Sequence, residues 1–83
     1  MTWFLYLLEC TDGSIYTGIT NDVEKRYAAH VCGKGARYTR SHPPLQVLAI
    51  FDYADRSSAS KAEYAMKQLS ARQKRALCQK NSS

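Results

Sequence analysis

Two strand-forming runs near the start of the chain, Trp3 to Glu9 and Ile15 to Thr20, constrain the fold more than any other feature. Thr11-Asp12-Gly13-Ser14 stands between them as a turn signal, so the pair reads as a β-hairpin. The turn length decides which side chains share a face. A two-residue type I′ loop at Asp12-Gly13 sets Thr11 against Ser14 and sends Tyr6 and Tyr16 to opposite faces. A three-residue loop with Gly13 left-handed pairs Cys10 with Ser14 instead, which puts Tyr6 opposite Gly18 and Tyr16 opposite Leu8 on one face. The other face is then Trp3, Leu5, Leu7, Ile15, Thr17 and Ile19, a nearly pure apolar set. A slip of one residue exchanges the faces wholesale, so this cleaner segregation selects the three-residue loop. Gly18, lacking a side chain, leaves room for the ring of Tyr6.

Beyond the hairpin, Asn21 or Asp22 caps a helix from Val23 to about Cys32, with Gly33 as its stop. Lys34 to Pro44 reads as a loop, and Leu45 to Tyr53 as a third strand. Apolar residues occupy both alternating sets of that strand, so both of its faces are expected to be covered. Asp55 or Ser57 caps a second helix to about Leu69. Ser70 with Gln73 makes a capping box for a short third helix ending near Leu77, and residues 81–83 read as a frayed tail. The order β-β-α-β-α-α describes one α/β (α+β) domain over residues 1–83, a small three-stranded antiparallel sheet flanked by helices. A chain of 83 residues buries only about 60% of its unfolded surface. The 45% apolar and 11% aromatic content still suffices for a core without staples.

A formal charge of +5 favours polyanionic partners such as DNA, RNA or acidic membrane surfaces. Cys10, Cys32 and Cys78 form no CxxC pair, and only His30 and His42 could join them, which argues against structural zinc. Small semi-buried thiols in a reducing cytosol are the simpler reading. Met1-Thr2 offers no basic leader, and Trp3 to Leu8 is too short to span a membrane, so a cytoplasmic location without a membrane partner is expected.

Candidate chemistry lies on the helices and the loop. In the first helix Val23, Tyr27 and Val31 make a core-facing arc, flanked on one side by Arg26 and His30. In the second, Ala59, Ala62, Met66 and Leu69 form the apolar stripe, and Glu63 falls on its edge. Carboxylates seldom face a core unless paired or metal-bound, and an i,i+4 pair with Lys67 accounts for Glu63 about as well as a functional role does. A two-metal site needs more acidic ligands than this. The stretch from Gly33 to Arg40 carries Lys34, Arg37, Tyr38 and Arg40, which suit phosphates and a stacked base, but it lacks the order of a phosphate-binding P-loop, and taken alone it reads better as a solvated charged loop.

Phe4-Leu5-Tyr6 followed by Tyr16-Thr17-Gly18, then Arg26 and His30, then Glu63, resembles the signature of the GIY-YIG nuclease superfamily. The likeness runs from about Trp3 to Leu77 and is greatest to small stand-alone bacterial members of the YhbQ type, through Gly33-Lys34-Gly35-Ala36 and Tyr38-Thr39. Phe4, Leu5 and Thr17 depart from the tripeptides without removing a reactive group. The polar residue that many such nucleases carry after the Glu helix, often Asn, is not evident, nor is a separate DNA-binding domain; weak activity is the corresponding expectation. The resemblance implies a metal-dependent endonuclease acting on DNA (RNA being the alternative), on branched or damaged structures in repair. It implies one Mg²⁺ or Mn²⁺ held by Glu63, with Tyr6, Tyr16, Arg26, His30 and Glu63 as catalytic residues. Lys34, Arg37, Tyr38, Arg40 and Lys67 would bind nucleic acid. In this scheme Tyr6 acts as a phenolate whose pKa Arg26, His30 or Lys34 must lower, and either Tyr6 or His30 is the base. The expected assembly is a monomer or weak homodimer. The competing reading is a GIY-YIG module that binds nucleic acid with little or no catalysis.

Overall fold

The computed structural model describes residues 2–81, so 82–83 of the tail expected at 81–83 lie outside the described residues. The alternating first run forms β1 (Trp3–Cys10), the central strand of a sheet ordered β2-β1-β3, with β2 (Ile15–Thr20) and β3 (Pro44–Tyr53) both antiparallel to it. The hairpin adopts the three-residue register. Tyr6 pairs with Gly18 and Leu8 with Tyr16, the Cys10 N–H donates to the Ser14 carbonyl at 2.9 Å, and Gly13 has φ +87°. A Cβ on Gly18 would lie 2.5 Å from the Tyr6 Oη and 2.7 Å from its Cζ, so this glycine makes room for the phenol.

The apolar face packs Leu5, Leu7 and Ile15 with Cys78, joined by Ile19, Phe51, Ala62 and Met66. It is covered by helices numbered α3 (Arg56–Lys67) and α4 (Ala71–Asn81). Asp55 caps α3 by accepting the Ser58 N–H at 2.8 Å, and Ser70 and Gln73 bond reciprocally at the start of α4. That last helix runs to Asn81, past the expected end near Leu77 and into the expected tail, because neither Gly nor Pro interrupts it. Arg75 fastens α4 to the hairpin, donating to Glu9 at 2.6 Å and to the Gly13 carbonyl at 2.8 Å.

The tyrosine face meets α1 (Val23–Val31) and α2 (Arg37–Ser41). Asp22 caps α1 through the Lys25 N–H, and Gly33 follows it with φ +78°. Three expectations change here. The loop expected over residues 34–44 contains the short helix α2. Val31 is 58% exposed while His30 is 1% exposed, so α1 is turned to bury the imidazole rather than the valine. The reason is that His30 finds partners for both ring nitrogens, given below, which removes the usual cost of burying them. The two-sided cover expected for β3 is also incomplete, with Leu45 and Ile50 exposed. Pairing steps from Leu7–Ala49 to Leu8–Val47 and from Glu9–Gln46 to Cys10–Pro44, so β3 is an edge strand bulged at Leu48 and Leu45. Of the thiols, Cys10 and Cys78 are buried but Cys32 is exposed.

Gly18→Val should destabilise the fold by about 1–3 kcal/mol through overpacking against Tyr6. Chemical denaturation would read this as a lower midpoint; an unchanged midpoint would mean that the phenol does not lie over this position.

Candidate active site

The hairpin register brings Tyr6 and Tyr16 onto one face, with ring centroids 6.3 Å apart. The imidazole of His30 descends between them from α1, 5.9 Å from Tyr6 and 5.2 Å from Tyr16. Tyr6 and His30 are both among the most buried side chains of the protein. A buried imidazole needs partners at both nitrogens, and it has them. The Tyr6 hydroxyl lies 2.9 Å from Nε2, and the Thr39 hydroxyl lies 2.7 Å from Nδ1.

Hydrogen-bond accounting assigns the tautomer. The single proton of the Thr39 hydroxyl is donated to the Ala36 carbonyl at 2.9 Å. Thr39 Oγ1 must therefore accept from His30, so the ring proton sits on Nδ1. Nε2 is left with its lone pair, and the Tyr6 hydroxyl donates to it. Gly35 closes the arrangement, since a Cβ there would run into the imidazole. Thr39 and Gly35 belong to the stretch that the sequence presents as a phosphate-gripping loop. Their work for His30 depends on the fold of α2 against α1, and sequence spacing does not reveal it.

Electrostatics agree with this assignment. Burial pushes the Tyr6 phenol up to about 12; the Arg26 guanidinium beside it pulls the other way, while Tyr16 and Glu63 raise it further. The lowered phenol expected from the sequence is thus replaced by a raised one, because desolvation outweighs the Arg26 contribution. Burial and, secondarily, Arg26 hold His30 below the usual imidazole range, so it is neutral near pH 7.

Glu63 stands on α3, near enough to Tyr6 to act on its titration. Lys67, one turn on, lies 3.6 Å from its carboxylate, so the i,i+4 pair forms. Among the described residues no cluster of three or more His, Cys, Asp or Glu could hold an ion. A lone carboxylate at the side of a hydroxyl-lined site nevertheless fits Mg²⁺ or Mn²⁺, since Mg²⁺ keeps most of its water ligands when bound by one or two carboxylates. Arg26 is half-buried beside Tyr6.

Lys34, Arg37 and Arg40 are exposed, with Arg37 and Arg40 on α2 and Lys34 in the turn before it. Tyr38, also on α2, stacks against Tyr16 at 5.8 Å and against His42 at 4.2 Å. Its ring is therefore engaged with two aromatic neighbours, and it ties α2 to the tyrosine face. Lys67 is exposed on α3, beside the Glu63 carboxylate.

Comparison with known proteins identifies the family. Residues 2–76 match the family model of the GIY-YIG catalytic domain. A UPF0213 protein of Cupriavidus pinatubonensis is 59% identical over 78 residues, 94% of this chain and 87% of that one. The UPF0213 protein YhbQ of Escherichia coli is 49% identical over 75 residues, covering 90% and 75%. The solution NMR structure of a UPF0213 protein from Bacillus halodurans superposes with a TM-score of 0.61 at 42% identity, covering 98% of this chain and 86% of that one. No helix among the described residues is long and apolar enough to cross a membrane. On the match over most of its length, the chain belongs to the GIY-YIG family, among its small YhbQ-like UPF0213 members.

Proposed function

We propose that this protein is a divalent-metal-dependent endonuclease that hydrolyses DNA phosphodiester bonds, on branched or damaged DNA in repair. Family membership supports a nuclease acting on nucleic acid. The observation that carries the reading is the 2.9 Å contact between the Tyr6 hydroxyl and a His30 Nε2 left free to accept.

A divalent ion held by Glu63 would polarise the scissile phosphate and stabilise the leaving oxygen. The remaining work belongs to the chain. A phenol with a pKa of about 12 is a poor source of phenolate at neutral pH. It need not ionise beforehand. As the Tyr6 Oη accepts a proton from the attacking water, its own proton passes to His30 Nε2, and the imidazolium keeps its Nδ1–H on Thr39. The base is thus the Tyr6–His30 pair, with Tyr6 touching the water and His30 receiving the proton. Arg26 offers a guanidinium to the charge that grows on the phosphate. Tyr16, packed edge-on against His30, orients the water or the phosphate. Lys34, Arg37 and Arg40 supply cationic contacts to the backbone of the nucleic acid.

A second reading, a binding module with little catalysis, is favoured by the Glu63–Lys67 pair, which occupies the carboxylate without any ion. Labelled forks, junctions and single strands incubated with Mg²⁺ or Mn²⁺ separate the two. Glu63→Ala should lower cleavage by at least about 100-fold while leaving metal-free binding intact. Equal cleavage by the variant would sink the one-metal scheme, and binding without cleavage by the wild type would favour the module.

The relay also predicts a pH profile. Because the folded His30 titrates below the ordinary value of about 6.5, wild-type cleavage should be level near neutrality and fall only in acid below that value. In His30→Ala the proton has no acceptor, so the rate should start low and climb about tenfold per pH unit above neutrality as phenolate accumulates. Parallel profiles for the two proteins would remove His30 from the relay.

A further inference from the structure

Beside the catalytic cluster, the edge strand β2 carries a second cationic feature. A groove of about 300 Å³ runs along this edge, lined by Ile15, Tyr16, Thr17, Tyr38, Lys67 and Lys74. Lys74 is only 8% exposed, a rare state for a lysine without a partner. Among the described residues it has no ion pair and its ammonium makes no hydrogen bond, in contrast to its neighbour in α4, Arg75. Its nitrogen is nevertheless not sealed, since the hydroxyl of Thr17 is the one side-chain polar atom found both fully buried and unpartnered among the described residues. The Lys74 ammonium thus keeps an opening, and the groove is the space that Lys74 lines.

Lys74 is held in place rather than floating. The Ser70–Gln73 capping box and the Arg75 bonds to Glu9 and Gly13 fix the turn of α4 that carries it. A second cation, Lys67, lines the same groove; burial first, and repulsion from Lys67 second, hold Lys74 below the usual lysine range. Lys67 is paired with Glu63, at 3.6 Å. Both lysines line this concave space, and among the described residues the Lys74 ammonium has no carboxylate partner there. Tyr16 belongs both to this groove and to the cluster around His30, so an anion here would sit beside the reacting phosphate.

We infer that this groove binds a backbone phosphate of the nucleic acid next to the one that is cut, with Lys74 and Lys67 as its cationic contacts. The inference rests on the endonuclease reading for its ligand. It gives the two lysines a positioning role: they set which bond lies over Tyr6 and Glu63.

The test is metal-free binding of a forked DNA oligonucleotide, read by fluorescence anisotropy between about 50 and 200 mM salt. Lys74→Met keeps the buried stem and removes the charge. It should weaken binding about tenfold at the low-salt end and reduce the slope of log K against log salt by about 0.7–0.9, the share of one phosphate contact. Lys74→Arg should restore the slope, and Lys61→Met, an exposed control on α3, should leave it unchanged. Wild-type binding with an unaltered slope in Lys74→Met would overturn the groove assignment and leave the endonuclease reading standing. No binding by the wild type would overturn both. Should Lys74→Met fail to fold, the Thr17 and Tyr38 amides of the wild type should shift in NMR spectra on adding the same oligonucleotide. Unmoved resonances there would equally overturn the inference.

Discussion

The hydrogen-bonded row Tyr6–His30–Thr39 is the interaction on which the rest of this structure depends. It joins three elements that have few other reasons to meet: the central strand β1, the helix α1 and the short helix α2. Burying an imidazole and a phenol is costly unless each polar atom has a partner, and here the row supplies them. α1 consequently turns its histidine inward and leaves Val31 in solvent, against the preference of its own apolar residues. The row also needs space. Gly18 gives it to the Tyr6 ring and Gly35 to the imidazole, since a Cβ at either place would collide.

Burial has opposite consequences for the two titrating members. It raises the phenol and lowers the imidazole, so the pair rests as neutral phenol and neutral imidazole. Neither group alone is then well suited to activate water: the phenol is too weak an acid, and the imidazole stands behind it. In the proposed chemistry they work together, the proton moving on from Tyr6 as the next one arrives. The proposed chemistry needs a donor–acceptor direction more than it needs a perturbed pKa, and Thr39 sets that direction by accepting from Nδ1.

Much of this was legible in the sequence, for identifiable reasons. The hairpin register follows from strict alternation plus a glycine able to take positive φ, and it sets both tyrosines on one face. Glu63 stood out because a carboxylate at the edge of an apolar stripe needs an explanation, although its ion pair with Lys67 supplied one of the two on offer. What remained hidden depends on long-range partners. The rotation of α1 is decided by Thr39 and Tyr6, nine and twenty-four residues away. α2 escaped notice because it is a single turn whose N-cap, Ala36, makes no side-chain capping bond. The bulges of β3 break a period that the sequence presents as regular. Lys74 shares a buried stripe with Cys78, four residues on, yet a lysine at such a position gives no sign of what it faces.

The proposed proton relay turns on His30 being a neutral imidazole with its proton on Nδ1. Long-range ¹H–¹⁵N NMR correlations of the histidine rings report this state directly. The relay predicts a pyridine-like Nε2, a protonated Nδ1, and a titration midpoint below the ordinary value of about 6.5. A protonated Nε2 near neutral pH, or a midpoint above that value, would contradict it, because Tyr6 would then have no acceptor for its proton.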